Sequence, residues 1–438
     1  MEQPVSDSGA PDASTLHQAL VDKLKSDGYI RSPRVEAAFR AVSRHLFLPR
    51  VALDTVYSDT HIVTKERDGQ SISSSSQPAI MAIMLELLDL RPGQRVLEIG
   101  AGTGYNAALM AHIVGDTGRV VTVDLDEDIV AAARSHLQVA GFEQVQVVCG
   151  DGGLGFADEA PYDRIILTVG AADIALAWQE QVMVGGRLVL PLEITRLHSL
   201  FAAQLLLAFD RVDDHIESVS VRECAFVRLR GACATPSEEP VALGPEPGLN
   251  LVTNTAGDVD ADAVYALLTG PSHDEEIGMR ATPRMLWGLH LWLALCEPRS
   301  CALYALGDMT ERGIVPVLQR RRDKFIETVG LYDGTTLCLL THPPDQLPSP
   351  ALPLAPDSPL DLVVRRFGPD TTLTQRLREQ AAAWEAAGRP FAWSADWTVE
   401  NLRIRAYPRE AAYTPAANEL VVDQRSARLV FAMANQGS

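Results

Sequence analysis

The sequence predicts an α/β protein: a twisted, mostly parallel sheet with helices on both faces, followed by a smaller α+β domain. Apolar segments of strand length alternate with helical segments between residues 95 and 191, which is the order of β-α-β crossovers. The segment 164–169 is almost entirely apolar, as expected for a parallel strand that is buried on both faces. Four prolines between residues 236 and 247 mark a change of composition and indicate a domain boundary.

The chain therefore divides into four predicted parts. These are a disordered N-terminus at 1–13, a first domain at 14–235, a linker at 236–248 and a second domain at 249–438. In the second domain we expect helices at 261–268, 285–296 and 371–387, and strands at 314–318, 336–340, 360–367 and 401–407. Five tryptophans are expected mainly to fill its core, although they could line a peptide groove: Trp287, Trp292, Trp384, Trp393 and Trp397.

The elements of the first domain follow from local patterns, taken in order. Apolar spacing predicts helices at 16–27 and 35–42, the second of them opened by Pro33. Residues 57–78 are rich in serine and have little hydrophobic period, so they are predicted to be irregular, and a helix follows at 79–88. Strands are predicted at 96–99, 119–123, 145–148, 164–169 and 187–191, helices at 107–114 and 174–182, and two β-rich segments at 200–209 and 224–230 with a polar linker between them.

A glycine-rich turn between strand and helix is the first candidate site. Gly100, Gly102 and Gly104 follow the strand 96–99 and open a helix, where glycine permits a tight turn and free N–H groups can meet a ligand. The next two strands end in Asp124 and in Asp151-Gly152. Because the carboxyl ends of parallel strands meet at one edge of a sheet, these side chains are expected to converge on a ligand, and Asp124 suits the hydroxyls of a ribose.

These motifs resemble those of a known family. The run E-I-G-A-G-T-G-Y at 98–105, Val123-Asp124 and Gly150-Asp151-Gly152 resemble class I S-adenosylmethionine (SAM) methyltransferases, which have a Rossmann-like sheet. A narrower resemblance, to protein-L-isoaspartate O-methyltransferases, covers about the first half of the chain. It rests on Tyr57-x-Asp59 and Gln77-Pro78 and on the segments 69–73, 161–166, 185–191 and 226–229.

The resemblance implies SAM as cofactor and S-adenosylhomocysteine as its product. It implies that Gly100, Gly102 and Gly104 shape the turn under the methionine part and that Glu98 interacts in the same region. Asp124 is expected to take the ribose hydroxyls and Asp151 the adenine amino group. The remaining cofactor-binding residues implied are Gln77, Thr103, Leu125 and Gly152.

On the substrate side the candidates are Asp59 and the serines Ser73, Ser74, Ser75 and Ser76. Hydroxyls beside a helix N-terminus can hold a carboxylate, and Ser76 aligns most simply with the family's carboxylate-holding position. Methyl transfer from a sulfonium to a carboxylate needs no general base, because the carboxylate is already ionised at neutral pH. No metal is expected, since the ten histidines and six cysteines show no metal-ligand spacing.

Two features point to an unusual substrate: about three more serines in this loop than the family has, and some 190 residues after the resembling half. The leading hypothesis is methylation of a normal aspartate in a macrocyclic, lanthipeptide-type ribosomal peptide, after which the ester closes to an aspartimide and yields isoaspartate. Three alternatives stay open. They are isoaspartate repair in damaged proteins, a small-molecule carboxyl methyltransferase, and a SAM-binding scaffold without catalysis.

Composition limits the partners. A net charge of −19 argues against nucleic acid, because phosphate binding requires a basic surface. No apolar run is long enough for a membrane helix, and residues 1–14 lack a secretory pattern. Scattered cysteines without C-x-x-C pairs are typical of reduced thiols, so we expect a cytoplasmic protein that acts on a peptide. The sequence leaves open whether it is a monomer or a dimer.

Overall fold

The computed structural model describes residues 12–195, 204–234, 240–254, 259–320, 325–346, 357–392, 394, 399, 402–416 and 418–433. Most of the predicted disordered N-terminus, part of the predicted linker, and Trp393 and Trp397 lie outside these ranges. Within the described ranges, none of the helices combines the length and the apolar character that crossing a bilayer requires.

Helices and strands alternate in the first half, whereas the second half is mainly strands. The helices are α1 (Ala13–Ser26), α2 (Pro33–Ala41), α3 (Leu53–Val56), α4 (Pro78–Leu88), α5 (Tyr105–Val114), α6 (Glu127–Val139), α7 (Leu176–Gln181), α8 (Ala261–Thr269), α9 (Pro283–Cys296) and α10 (Thr371–Ala386). The strands of the first half are β1 (Ile62–Arg67), β2 (Gln70–Ser75), β3 (Arg95–Ile99), β4 (Arg119–Asp124), β5 (Gln146–Cys149), β6 (Tyr162–Leu167), β7 (Val182–Glu193), β8 (Gln204–Val212) and β9 (His215–Cys224). Those of the second half are β10 (Val241–Ala242), β11 (Leu249–Thr253), β12 (Ser272–Ala281), β13 (Ser300–Leu306), β14 (Gln319–Arg320), β15 (Phe325–Tyr332), β16 (Leu337–Thr341), β17 (Leu360–Phe367), β18 (Leu402–Pro408), β19 (Glu419–Asp423) and β20 (Ala427–Met433).

A ten-stranded sheet organises the molecule, in the order β19-β20-β18-β9-β8-β7-β6-β3-β4-β5. The pairs among β3, β4, β5, β6 and β7 are parallel, and the rest are antiparallel. Apart from their first residues and Asp124, the residues of β3 and β4 are buried, as expected for parallel strands between helices. The predicted α/β class, a Rossmann-like methyltransferase sheet with a further β-rich region, is confirmed.

The last three strands do not follow the predicted domain boundary. Residues 402–433, which the sequence assigns to the second domain, pair with β9 and extend the first sheet. The pairing of β18 with β9 joins segments about 190 positions apart in the chain. Local patterns carry no information about such a partner, so the prediction grouped these strands with their neighbours in sequence.

The second sheet is antiparallel, in the order β10-β11-β13-β15-β16-β17-β12, with β14 paired to β15. Its helices α9 and α10 pack between the two sheets, so one apolar cluster contains residues of both. Trp287, Trp292 and Trp384 are buried in this cluster. They are therefore core residues.

Three local predictions differ from the structure. Residues 215–223, which fall in the predicted polar linker, form most of strand β9, in which Ile216, Ser218 and Val221 are buried and Val219 is exposed. Residues 226–230, predicted to be β-rich, continue without strand pairing apart from one bridge between Gly170 and Arg228. The predicted strand at 314–318 is irregular, since a short apolar run does not distinguish a strand from a buried loop.

Candidate active site

A cleft lies at the carboxyl edge of the parallel strands, beneath the hairpin β1–β2. Seven residues predicted from the sequence line it: Ser73, Ser74, Gly100, Gly102, Asp124, Leu125 and Gly152. Residues that were not among the predicted site residues complete the lining: Ile72, Ile99, Val123, Thr168, Val169, Val227, Arg228, Leu229 and Arg230. The ends of the four strands β3, β4, β5 and β6 thus meet the hairpin and the segment 227–230 at one place.

The glycine turn needs glycine for two different reasons. At Gly100 the φ angle is 101°, and a Cβ atom would lie 2.6 Å from Thr168 Oγ1, so a side chain is excluded by strain and by contact. At Gly102 the φ angle is 50°, but a Cβ would meet no atom closer than the Ser74 carbonyl at 3.7 Å. Gly102 therefore keeps the backbone open toward the hairpin, where a ligand can approach it.

Asp124 occupies the end of β4 and lies in the cleft. Its Oδ2 accepts a hydrogen bond from the Gly102 N–H at 3.1 Å, and its Oδ1 a long one from Asp126 N–H at 3.4 Å. Burial raises the pKa of the Asp124 carboxyl above its usual value. The carboxylate keeps lone pairs for further donors, such as the two hydroxyls of a ribose.

Three predicted cofactor residues lie close by but do not line the cleft. Glu98 is fully buried, and its two oxygens accept from Asn106 Nδ2 at 2.7 Å and from Thr122 Oγ1 at 2.6 Å. Burial raises the pKa of Glu98 to about 7. Thr103 and Gly104 start α5, with the Thr103 carbonyl 3.0 Å from His136 Nδ1. These residues shape the turn from behind.

Asp151 is also engaged elsewhere. Its Oδ1 accepts from Gly153 N–H at 2.9 Å and its Oδ2 from Ala232 N–H at 2.5 Å. The Gly231 backbone packs so closely that a Cβ there would lie 2.5 Å from Asp151 Oδ2. Asp151 therefore fastens the segment 231–232 to the end of β5, and its neighbour Gly152 is the one that lines the cleft.

The serine-rich segment is ordered, contrary to the prediction of an irregular loop. Residues 62–75 form the antiparallel hairpin β1–β2, whose turn residues Asp68 and Gly69 both have positive φ angles, as a tight hairpin turn requires. Ser73 and Ser74 lie in the cleft, and Thr64 Oγ1 donates to Ser73 Oγ at 3.0 Å. From Ile72 to Ser75 the side chains of β2 alternate between partly buried and buried positions. A segment of serines can therefore form a strand although it has no period of apolar residues.

Arg44, which no sequence motif singled out, holds the base of this hairpin. The guanidinium is fully buried, and it donates to the carbonyls of Val56 at 2.8 Å and Ser76 at 3.0 Å and to Ser75 Oγ at 3.3 Å. Within the described part of the chain these acceptors are neutral, and burial lowers the pKa of Arg44. No local signal distinguishes this arginine from a surface one.

Asp59 and Gln77 bind each other. Asp59 Oδ1 accepts from the Ala79 N–H at 2.9 Å and Oδ2 from Gln77 Nε2 at 3.0 Å. Asp59 thereby supplies the side-chain cap that Gln77, at the N-cap position of α4, does not make. Neither residue lines the cleft, and Ser75 and Ser76 face Arg44.

Asp126 joins the hairpin to the rest of the site. Arg230 Nη2 lies 2.8 Å from Asp126 Oδ2, Lys65 Nζ lies 3.3 Å from the same oxygen, and Arg67 Nη2 lies 3.7 Å from Oδ1. Attraction to these cations keeps the pKa of Asp126 below its usual value, with Arg230 the main cause. One carboxylate thus ties β1 and the segment after β9 to the loop that follows Asp124.

The donor set fits a nucleoside cofactor that carries a sulfonium. A glycine turn with an open backbone position, an acid at the tip of the second strand and a covering hairpin meet at the carboxyl edge of a parallel sheet. This fold and site define a class I SAM-dependent methyltransferase. Among the residues that the structure describes, no group of His, Cys, Asp and Glu is arranged to hold a metal ion.

Comparison with known proteins identifies the family within this class of methyltransferases. The sequence profile of the protein-L-isoaspartate(D-aspartate) O-methyltransferase family matches residues 14–233, and the chain belongs to this family. The protein-L-isoaspartate O-methyltransferase of Methanopyrus kandleri is 41% identical over 49% of this chain and 91% of its own length. That of Hyperthermus butylicus is 39% identical over 48% of this chain and 87% of its own.

A solved protein-L-isoaspartate O-methyltransferase shares 23% identity with a TM-score of 0.48, over 89% of this chain and 96% of its own. The chain is a carboxyl O-methyltransferase that uses SAM as cofactor. Its substrate is a peptide or protein that carries isoaspartate or aspartate.

Proposed function

We propose that this enzyme repairs damaged proteins by methylating isoaspartyl residues. The observation that carries the proposal is that Asp124 and the glycine turn line the same cleft as Ser73 and Ser74 of the hairpin. Membership of the family supports the reaction, and the relatives above are named for isoaspartate. The macrocyclic-peptide hypothesis finds no support among them, so repair is the better-supported of the two.

On the cofactor side, Asp124 would hold the ribose hydroxyls, and the backbone at Gly102 would lie against the amino acid part. When bound, the cofactor supplies a methyl group on a positively charged sulfur. Leu125 and Gly152 would border the adenine, since both line the cleft. Asp151 would act through Gly152, because its own carboxylate is bound to backbone N–H groups.

On the substrate side, the Ser73 and Ser74 positions orient the accepting carboxylate. Both lie in the cleft, whereas Ser76, the simplest alignment from the sequence, offers its carbonyl to Arg44. Arg44 adds a positive charge behind the hairpin, which favours a carboxylate in front of it. Asp59 and Gln77 position the hairpin base through α4.

The chain needs to do little proton chemistry. The accepting carboxylate is ionised at neutral pH, and the charges of sulfonium and carboxylate cancel as the methyl group moves. A hairpin that excludes water from the cleft therefore favours the reaction, and alignment supplies most of the remaining effect. The ester product then loses methanol when the next backbone nitrogen attacks its carbonyl, which closes a succinimide. Hydrolysis of the succinimide gives aspartate or isoaspartate.

Intact mass after incubation with SAM tests the proposal. Two linear peptides differ only in having isoaspartate or aspartate at one position, and the Asp124→Ala variant serves as the catalytically impaired control. The expected result is a gain of one methyl group on the isoaspartyl peptide only, followed by loss of methanol. Equal methylation of both peptides, or of neither, would contradict repair.

One specific observation favours a second candidate function, methylation of a normal aspartate in a macrocyclic peptide. The extra serines form an ordered strand whose Ser73 and Ser74 reach the cleft, so the surface that meets the substrate is altered. Methylation of a normal aspartate in a thioether-cyclised peptide, with none on the isoaspartyl peptide, would establish the macrocyclic-peptide reaction. Methylation of a free small carboxylic acid at a similar rate would instead favour the small-molecule alternative.

A further inference from the structure

A second cleft lies between the first sheet and the second domain. Its charged and polar lining includes Asp173, Glu193, Arg228, Glu297, Gln424 and Arg425. The cleft has a volume of ≈ 880 Å³ and opens to solvent, which lies within the ~300–1,000 Å³ typical of ligand-binding pockets. A pocket of this size can hold one long side chain of a larger ligand.

Most of the charges in this cleft already have partners. Glu193 Oε1 lies 2.9 Å from Arg228 Nε. Glu297 is bound by Arg376 at 2.7 Å and by Arg299 at 3.1 Å. These acids are therefore neutralised by the protein itself and do not need a ligand.

Asp173 differs from them. It is 4% exposed; its Oδ2 accepts from the Ser426 N–H at 2.7 Å, while no hydrogen-bond partner for Oδ1 occurs in the described part of the chain. The same holds for Gln424 Oε1, whose amide nitrogen donates to the Glu193 carbonyl at 3.2 Å. Two unpaired acceptors in one cleft carry a desolvation cost that a ligand with N–H donors would remove.

The two clefts share a wall. Arg228 lines both of them, and its segment is fixed to the sheet because Gly170 N–H donates to the Val227 carbonyl at 2.8 Å and Leu229 N–H to the Gly170 carbonyl at 2.7 Å. A polypeptide whose reacting carboxylate lies beside Ser73 and Ser74 would therefore pass this wall to reach the second cleft.

We propose that the second cleft is a substrate subsite that binds a basic side chain near the methylated residue, through Asp173 and Gln424. An arginine suits it best, since a guanidinium presents several N–H donors in one plane to two acceptors. The inference rests on the proposed function in one respect, that the substrate is a polypeptide. It adds a sequence preference that methyl transfer itself does not require.

Binding to the wild-type enzyme is the first test. Isoaspartyl peptides carry one arginine or its neutral analogue citrulline, moved through three positions on each side of the isoaspartate. Kd is measured in the presence of S-adenosylhomocysteine, so that no turnover is needed. At one position the arginine peptide should bind about tenfold more tightly, as a charge-assisted hydrogen bond implies. Equal affinity at every position overturns the subsite.

The Asp173→Asn variant assigns the effect to this cleft. Asparagine keeps an oxygen for the Ser426 N–H and replaces the unpaired oxygen by an N–H donor. The arginine peptide and the citrulline peptide should therefore bind this variant with about equal Kd. Asp116→Asn, an exposed position with the same charge change, should retain the preference. A preference that survives in Asp173→Asn overturns the inference, whether or not any peptide is methylated. Absence of methylation with the preference intact would instead overturn the proposed function alone.

Discussion

The proposed cofactor side and the proposed substrate side of the site are built in different ways. The cofactor side consists of strand ends and a glycine turn, so Gly100, Gly102 and Asp124 are placed by the sheet itself. The substrate side is a hairpin held from behind by the buried Arg44 and, through α4, by Asp59. The first side is a property of the fold, whereas the second is a separate attachment whose residues can change while the fold is kept.

Removing part of the sheet should disrupt both the cofactor side and the substrate side of the site, which is the largest effect expected. A chain ending at residue 248 lacks β18, β19 and β20, so it exposes the edge of β9 that β18 covers, and exposed edges promote aggregation. We expect little soluble protein and no methyl transfer, measured by size-exclusion chromatography and by product mass. The full-length chain, which keeps all ten strands, serves as the control. Full activity of the shorter chain would mean that the sheet does not need its last strands.

Asp124→Asn should damage the cofactor side alone. Loss of the charge weakens two hydrogen bonds to a ribose, so Kd for S-adenosylhomocysteine should rise by about 100-fold. Asp151→Asn should change this Kd by less than about fivefold, because the Asp151 carboxylate binds backbone N–H groups. Isothermal titration calorimetry measures both values. Equal losses in the two variants would show that Asp151 contacts the cofactor directly.

Arg44→Lys should damage the substrate side alone. One ammonium cannot reach the acceptors that the guanidinium joins, so the hairpin base loosens. We expect KM for the isoaspartyl peptide to rise by about tenfold and the Kd for S-adenosylhomocysteine to change by less than about twofold. Arg40→Lys, whose exposed ion pairs join Asp22 and Glu36, is the matched control. A parallel rise in both constants would mean that the two sides are one unit.

The smallest effect concerns pH and Glu98. Burial raises the pKa of this carboxyl from 4.5 to about 7, so the folded state binds its proton more tightly than the unfolded chain does. The contribution of Glu98 to stability is complete below about pH 4.5 and is lost as the pH rises through about 7. Relative to Glu98→Gln, the wild type should therefore lose about 1–3 kcal/mol between pH 5 and pH 8.

Urea unfolding at the two pH values measures this difference, with the exposed Glu143→Gln as control. A constant difference between wild type and Glu98→Gln would mean that Glu98 ionises normally in the folded protein. The cofactor side would then tolerate a buried charge behind its turn.

The sequence allowed the cofactor side to be predicted, because strand, glycine turn and acid follow one another within about 30 residues. The predicted strand at 96–99 is β3, and Gly100, Gly102 and Asp124 meet in the cleft. The substrate side was predicted less well, since a hairpin of serines shows no apolar period. Its support by Arg44 depends on contacts between segments more than 30 positions apart.

The order of the second half could not be predicted for a similar reason. Strand β18 alternates between buried and less buried residues, but its partner is β9, and nothing within the strand identifies that partner. Asp59 and Gln77 were assigned to binding because they belong to family motifs. The structure brings them together at the start of α4, outside the cleft.

The chain leaves the first sheet after β9 and returns to it at β18, so the second sheet is an insertion within the first rather than an addition to its end. A folded insertion holds its two ends close, whereas an unfolded one is a loop of roughly 180 residues whose closure costs about 4–5 kcal/mol. Melting of the inserted unit would therefore weaken the pairing of β18 with β9. A polypeptide bound between the two units would strengthen it, so that substrate and fold would stabilise each other through chain entropy.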